Sequence, residues 1–117
     1  MIYNNDKTID SVSRIKWNKW FVITISGKFA VKYLLKIKNV FEEAENSNEP
    51  FVAIDLKPTT YLDSSAITIM LNFHRRCLEK GGNLFLFGLN PDIESILSIV
   101  GIDKVIPIVK NIDNLPE

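Results

Sequence analysis

The sequence predicts an α/β fold of about five strands and three helices, ordered β-β-α-β-α-β-α-β, in a single domain spanning residues 1–117. Three observations carry this reading. The spacing of apolar residues switches repeatedly between β-rich stretches and stretches with helical period. Short apolar runs such as "FVAIDL" and "NLFLFGL" are bounded by turn residues, as buried strands are. The chain has 117 residues, 46% hydrophobic and 24% charged, which suits one core of ordinary size. Strands alternating with helices favour a sheet joined by crossover helices.

The elements follow in order. "TIDSVSRIKWNKWFVITISG" reads as two strands around a turn at Trp17–Asn18–Lys19. "WFVITIS" is rich in β-branched and aromatic residues, and Gly27 is expected to end it. From about Ala30 to Glu45, Val31, Leu34, Leu35, Val40, Phe41 and Ala44 fall near helical spacing. "ENSNEP" is a polar loop with Pro50 as breaker. "FVAIDL" is the buried central strand, and "KPTTYL" connects it to the next helix. On that helix Ile67, Met70, Leu71, His74 and Leu78 keep helical spacing, and Gly81 and Gly82 provide a left-handed exit. "NLFLFGL" is another strand. "NPDIESILSIVG" is a short helix with Asn90 as N-cap, Pro91 at the first position and Gly101 beyond its end. "KVIPIV" is the last strand, placed at an edge because Pro107 cannot donate to a ladder.

Formal net charge is zero, so no overall field favours direct nucleic-acid binding. No apolar run approaches the roughly 20 residues that cross a bilayer, so no membrane span is expected. "MIYNNDKTIDSVS" lacks a basic stretch followed by an apolar one, so a secretory leader is not expected either. The lone Cys77 rules out an internal disulfide framework and a cysteine-based structural metal site. A cytoplasmic protein is the expectation. Gly81–Gly82 has no phosphate-loop lysine after it, and no residue pattern calls for a cofactor or metal.

The stretch with most chemical content is "YLDSSAITIML", residues 61–71. Asp63 stands where a helix should begin. Its carboxylate can accept from first-turn amides and complements the positive end of the helix dipole. Ser64 and Ser65 occupy that first turn. In open α/β sheets the junction between strand end and helix start displays ligands and reactive groups. A phosphate there would add about −1.5 to −2 charge and three acceptor oxygens. Spacing alone allows two readings, a helix cap with merely small neighbours or a displayed phosphoacceptor.

From Phe51 to Ile108 the chain resembles the STAS domain of bacterial anti-sigma factor antagonists. The likeness rests on the "DL" strand, "LDSS", an amphipathic helix ending in "GG", an apolar strand, a short helix and "GIDKVIPI". "ITISGKF" resembles the family's second strand and its glycine. The resemblance implies a mixed sheet with helices packed mainly on one face. It also implies a non-enzymatic regulator that binds an anti-sigma factor with serine kinase activity and so frees a sigma factor. Phosphorylation of the serine after the aspartate, here Ser64, ends the inhibition, and a serine phosphatase restores it. Asp63, Ser65 and Ala66 become the neighbours of that site and part of the partner contact. The chain departs from the family in three places. Ala66 stands where glycine is usual, Ala30 where an acid is common, and "NIDNLPE" leaves room only for a turn where another helix is common. Ala66 and Ala30 favour a rival reading, an unphosphorylated STAS scaffold of a signalling complex or a lipid-transport accessory.

Lys28, Lys32 and Lys36 recur every four residues and would line one helix face. That strip reads either as a basic partner contact through Lys28 and Lys32 or as a solvated face. Glu42, Glu43 and Glu45 follow at the far end, a polarity opposed to the helix dipole. Ser64, Asp63 and His74 do not make a hydrolase triad: ten positions of helix separate Ser64 from His74, about 15 Å along the axis. His74 falls on the apolar stripe and reads as structural. Arg75, Arg76 and Lys80 read as solvated, and Cys77 as an unactivated thiol. Trp17, Trp20 and Phe21 either complete the core or form an exposed aromatic patch.

Overall fold

The computed structural model describes residues 11–30 and 34–117. The strands are β1 (Ser11–Trp17), β2 (Trp20–Phe29), β3 (Phe51–Asp55), β4 (Thr59–Leu62), β5 (Asn83–Phe87) and β6 (Ile108–Val109). The helices are α1 (Leu34–Asn46), α2 (Ser64–Glu79) and α3 (Pro91–Ile99). The sheet runs β1-β2-β3-β5-β6, with β4 joined to β2 off this path. β1 is antiparallel to β2 and every other pairing is parallel, so the sheet is mixed.

β1 and β2 form a hairpin with Trp17 opposite Trp20, and Asn18 takes the positive φ (53°) that the tight turn needs. Gly27 does not end β2 as expected. The strand shifts register between Gly27 and Lys28 and continues to Phe29, because β4 offers it a second partner there. β4 itself lies within the stretch expected to be a connector, which makes the sheet six-stranded among the described residues. The last strand is also shorter than expected. Residues 102–104 form a 3-10 turn, and only Ile108 and Val109, after Pro107, join the sheet edge.

The two faces of the sheet carry separate cores, as the alternation of strand side chains requires. On one face Ile23, Ile25, Val52, Ile54, Leu84 and Leu86 meet all three helices. Phe41 of α1 stacks on Phe73 of α2 at 4.7 Å and meets Phe29 edge-on at 6.4 Å, tying both helices to the end of β2. On the other face Trp20, Val22, Ala53 and Phe87 are covered by Leu115, with Ile112 packed beside them. The Trp20 indole donates to the carbonyl of Pro116 at 2.7 Å. The terminal "NIDNLPE" thus makes a 3-10 turn, Ile112–Asn114, that roofs the face the helices leave open. Trp20 and Phe21 complete the two cores and Trp17 stays partly exposed.

α2 ends as its glycines foretold. Gly81 has φ +83°, its amide donates to Leu78 O at 3.0 Å, and the Gly82 amide donates to Cys77 O at 2.9 Å. α3 is capped by Asn90, which accepts from the Ile93 amide at 2.9 Å. The same side chain donates to Thr59 O at 3.0 Å, fastening the start of α3 to β4.

Candidate functional site around Ser64

β4 delivers the chain to the start of α2. Thr59 is buried and its hydroxyl donates to Ile25 O at 2.6 Å, which seats β4 on β2. Leu62 points into the core while Tyr61 stays half exposed. The Asp63 amide then donates to Phe29 O at 3.3 Å, the last tie before the chain turns into helix.

Asp63 is the N-cap, with extended backbone (φ −119°, ψ −174°). Its Oδ1 accepts from the Ala66 amide at 3.1 Å, satisfying one of the orphan donors of the first turn. Ser64 is the first helical residue and is exposed. Its carbonyl accepts from Thr68 Oγ1 at 3.0 Å, so its backbone is held while its side chain faces solvent. Ser65 is half buried, and Ala66 is fully buried in the core. Ala66 is therefore a neighbour of the site but cannot touch a partner while α2 is packed. Downstream, Met70, Phe73, His74 and Cys77 bury the inner face of α2 and make a rigid mount.

The lysines fall differently from the expected helix strip. Lys28 lies in β2, exposed, with Tyr61 of β4 as its register partner. It therefore stands on the sheet beside the approach to Ser64, not in line with Lys36 on α1. Lys32 lies outside the described residues. The glutamates at the end of α1 are met from neighbouring elements. Arg14 Nε donates to Glu43 Oε2 at 2.8 Å, and Arg76 Nε lies 3.3 Å from Glu45 Oε2 without hydrogen-bond alignment. The ammonium of Lys80 donates to Glu45 O at 3.1 Å, so Arg76 and the exposed Lys80 serve the C-terminal end of α1, while Arg75 is exposed.

His74 is buried and lies away from Ser64 in the helix–sheet core. Burial lowers its pKa from the ordinary value, and a hydrogen bond with the side chain of Asn83 offsets part of that shift. Cys77 is a buried thiol pushed up to about 11, chiefly by burial. Among the described residues there is no cluster of three metal-ligating side chains, and no helix is long and apolar enough to cross a membrane.

Sequence reasoning found Asp63 and Ser64 from local signals. The exposure of Tyr61 on the unforeseen β4 had no local signature. Comparison with known proteins bears on this geometry. An anti-sigma F factor antagonist from Paenibacillus polymyxa is 28% identical over 60 residues, and the match spans about half of each chain (51%). The crystal structure of a putative anti-sigma factor antagonist from Thermotoga maritima superposes with a TM-score of 0.81 at 18% identity, covering 87% of this chain and 88% of that one. The phosphorylated form of the Bacillus protein SpoIIAA superposes at 0.68 with 13% identity, covering 88% and 95%. The model of the STAS domain matches residues 7–115, which takes in both faces of the sheet, all three helices and the capped serine. With this span of sequence and this topology, the chain belongs to the STAS domain family.

Proposed function

We propose that the chain is an anti-sigma factor antagonist, switched by phosphate on Ser64. Unphosphorylated, it binds an anti-sigma factor that is also a serine kinase. Phosphorylation at Ser64 ends that binding, and a serine phosphatase restores it. The chain thereby regulates sigma-factor-dependent transcription in the cytoplasm through protein contact, without enzymatic activity, a cofactor or direct nucleic-acid binding. One observation carries the reading: an exposed hydroxyl on the first residue of a rigid helix, directly after the capping carboxylate of Asp63. The first-turn amides tolerate the added charge within the protein. A docked surface that excludes water and matches a neutral hydroxyl does not. SpoIIAA, which shares the fold, exists in a phosphorylated form. Lys28 and the half-exposed Tyr61, register partners on β2 and β4, offer a cation and an aromatic ring on the strands that lead to Ser64.

The test is incubation with the cognate kinase and ATP, followed by mass mapping. One phosphate on Ser64, and none on Ser65, is expected. Ser64→Ala should fold and bind, since one exposed hydroxyl contributes about 1 kcal/mol or less, and Ser64→Asp should bind less well. Reversing Lys28 should slow association at low salt and leave folding unchanged. Phosphate on Ser65 alone would move the switch. No phosphate with an active kinase, together with undiminished binding, would assign the phosphate-free scaffold instead.

A further inference from the structure

The sheet face opposite the helices is only partly roofed. Leu115 and Ile112 pack over Trp20, Val22, Ala53 and Phe87, and beside them, at the C-terminal ends of β3 and β5, a cavity of about 300 Å³ stays open. Its apolar lining is Val22, Phe87, Ile15 and Ile112. Val22 and Phe87 form its floor and are almost fully buried, at 1% and 6% exposure, so the open apolar surface belongs to Ile15, 57% exposed, and the half-buried Ile112. The polar part is Asp55, Thr24, Lys57, Lys110 and Asn111. The strands place Ile15 opposite Val22 and Thr24 beside Asp55, so the lining comes from fixed register positions rather than a loose loop.

We propose that this cavity is a second binding site of the domain, taking a small amphipathic carboxylate. The volume equals that of about ten waters at roughly 30 Å³ each, and sits at the small end of ligand pockets. Charge decides the polar end. Both oxygens of Asp55 are already engaged: Oδ1 accepts from the Lys57 amide at 2.9 Å and Oδ2 from the Thr24 hydroxyl at 3.3 Å. Lys57 and Lys110 are exposed, and neither belongs to an ion pair among the described residues. Two cations against one occupied carboxylate leave the rim positive. The rim is also preformed. The Leu56 amide donates to Phe87 O at 3.0 Å, the Gly88 amide to Lys110 O at 3.2 Å, and the Gly27 amide to Pro58 O at 2.9 Å. Gly88 keeps the mouth clear, because a Cβ there would come within 2.9 Å of Asp55 Oδ1. The carboxylate head pairs with the two lysines and the chain or ring lies between Ile15 and Ile112, above the floor that Val22 and Phe87 make. The site is separate from Ser64, which sits at the start of α2 on the helix side of the sheet.

Octanoate, octanol and octylammonium share one apolar tail and differ in head-group charge. Titrated into the full chain and followed by NMR, octanoate should bind most tightly and octylammonium least. The methyl groups of Ile15, Val22 and Ile112 should shift, and those of Ile67 and Ile69 on α2 should not. Lys57→Ala with Lys110→Ala should weaken octanoate about tenfold and leave octanol unchanged, the combined effect of two rim ion pairs near the upper end of their usual range. Both lysines are exposed, so folding is not at stake. Octylammonium binding as tightly as octanoate would overturn the charge assignment. The absence of shifts at Ile15, Val22 and Ile112 with octanoate would overturn the site. Ser64→Ala should bind octanoate as the parent does, which separates this result from the fate of the phosphate switch.

Discussion

Replacing Asp63 by alanine separates the cap from the switch. The substitution removes the hydrogen bond from the Ala66 amide to Asp63 Oδ1, 3.1 Å long, and leaves a first-turn donor unsatisfied. Losses of this kind cost about 1 kcal/mol. The carboxylate also faces the positive end of α2, and its removal costs about 0.5 kcal/mol more. The backbone ties survive, since the Asp63 amide still reaches Phe29 O and the Ile67 amide still reaches Asp63 O. Ala66, Met70 and Phe73 keep the rest of α2 on the sheet, so the damage stays within the first turn. The sum is about 1.5 kcal/mol, or about 6 °C in Tm for a chain of this size. Asp63→Asn keeps an acceptor and loses only the charge, so it should cost about 0.5 kcal/mol. Urea unfolding reads both as midpoint shifts at constant slope. If the two variants lose the same stability, or neither loses any, the hydrogen bond is not what holds the start of α2 and the mount beneath Ser64 has been misjudged.

Three further outcomes follow from buried groups. His74 is held neutral by burial and its folded pKa lies below 6.5, so its contribution to stability is full above the unfolded pKa and is lost as pH falls toward the folded value. The urea midpoint should drop between pH 7.5 and 5.5 by more in the parent than in His74→Gln; an equal drop would remove His74 as a cause. With its thiol at about 11 and buried, Cys77 should react slowly with a thiol reagent at pH 8 and rapidly in urea, and equal rates would show an open thiol. Leu115→Ala should cost about 2–3 kcal/mol and red-shift Trp20 emission in a Trp17→Phe background, because Leu115 roofs that face of the sheet; unchanged emission would mean that the terminal turn does not protect Trp20.

Much of this protein is written in short segments of its sequence. The order of strands and helices apart from β4, the Asp63 and Asn90 caps and the glycine exit of α2 rest on contacts within a few residues. Periodicity and residue chemistry therefore determine them, and with them the exposed hydroxyl at a helix start. Only the tertiary structure decided the rest. β4 is four residues long, with a buried–exposed–exposed–buried pattern that resembles no strand period, and it exists because β2 runs past Gly27 to pair with it. That distant pairing moves Lys28 off the helix face its spacing suggested and sets it beside Tyr61. Thr24 and Asp55 look like ordinary polar strand positions. They become a cavity wall only when β2 meets β3 and a terminal turn some 60 residues away closes over the same face. Local sequence sets local geometry because its determinants lie within one turn or one strand. A site assembled from several strands depends on which backbones pair, and that is settled by the free energy of the whole sheet.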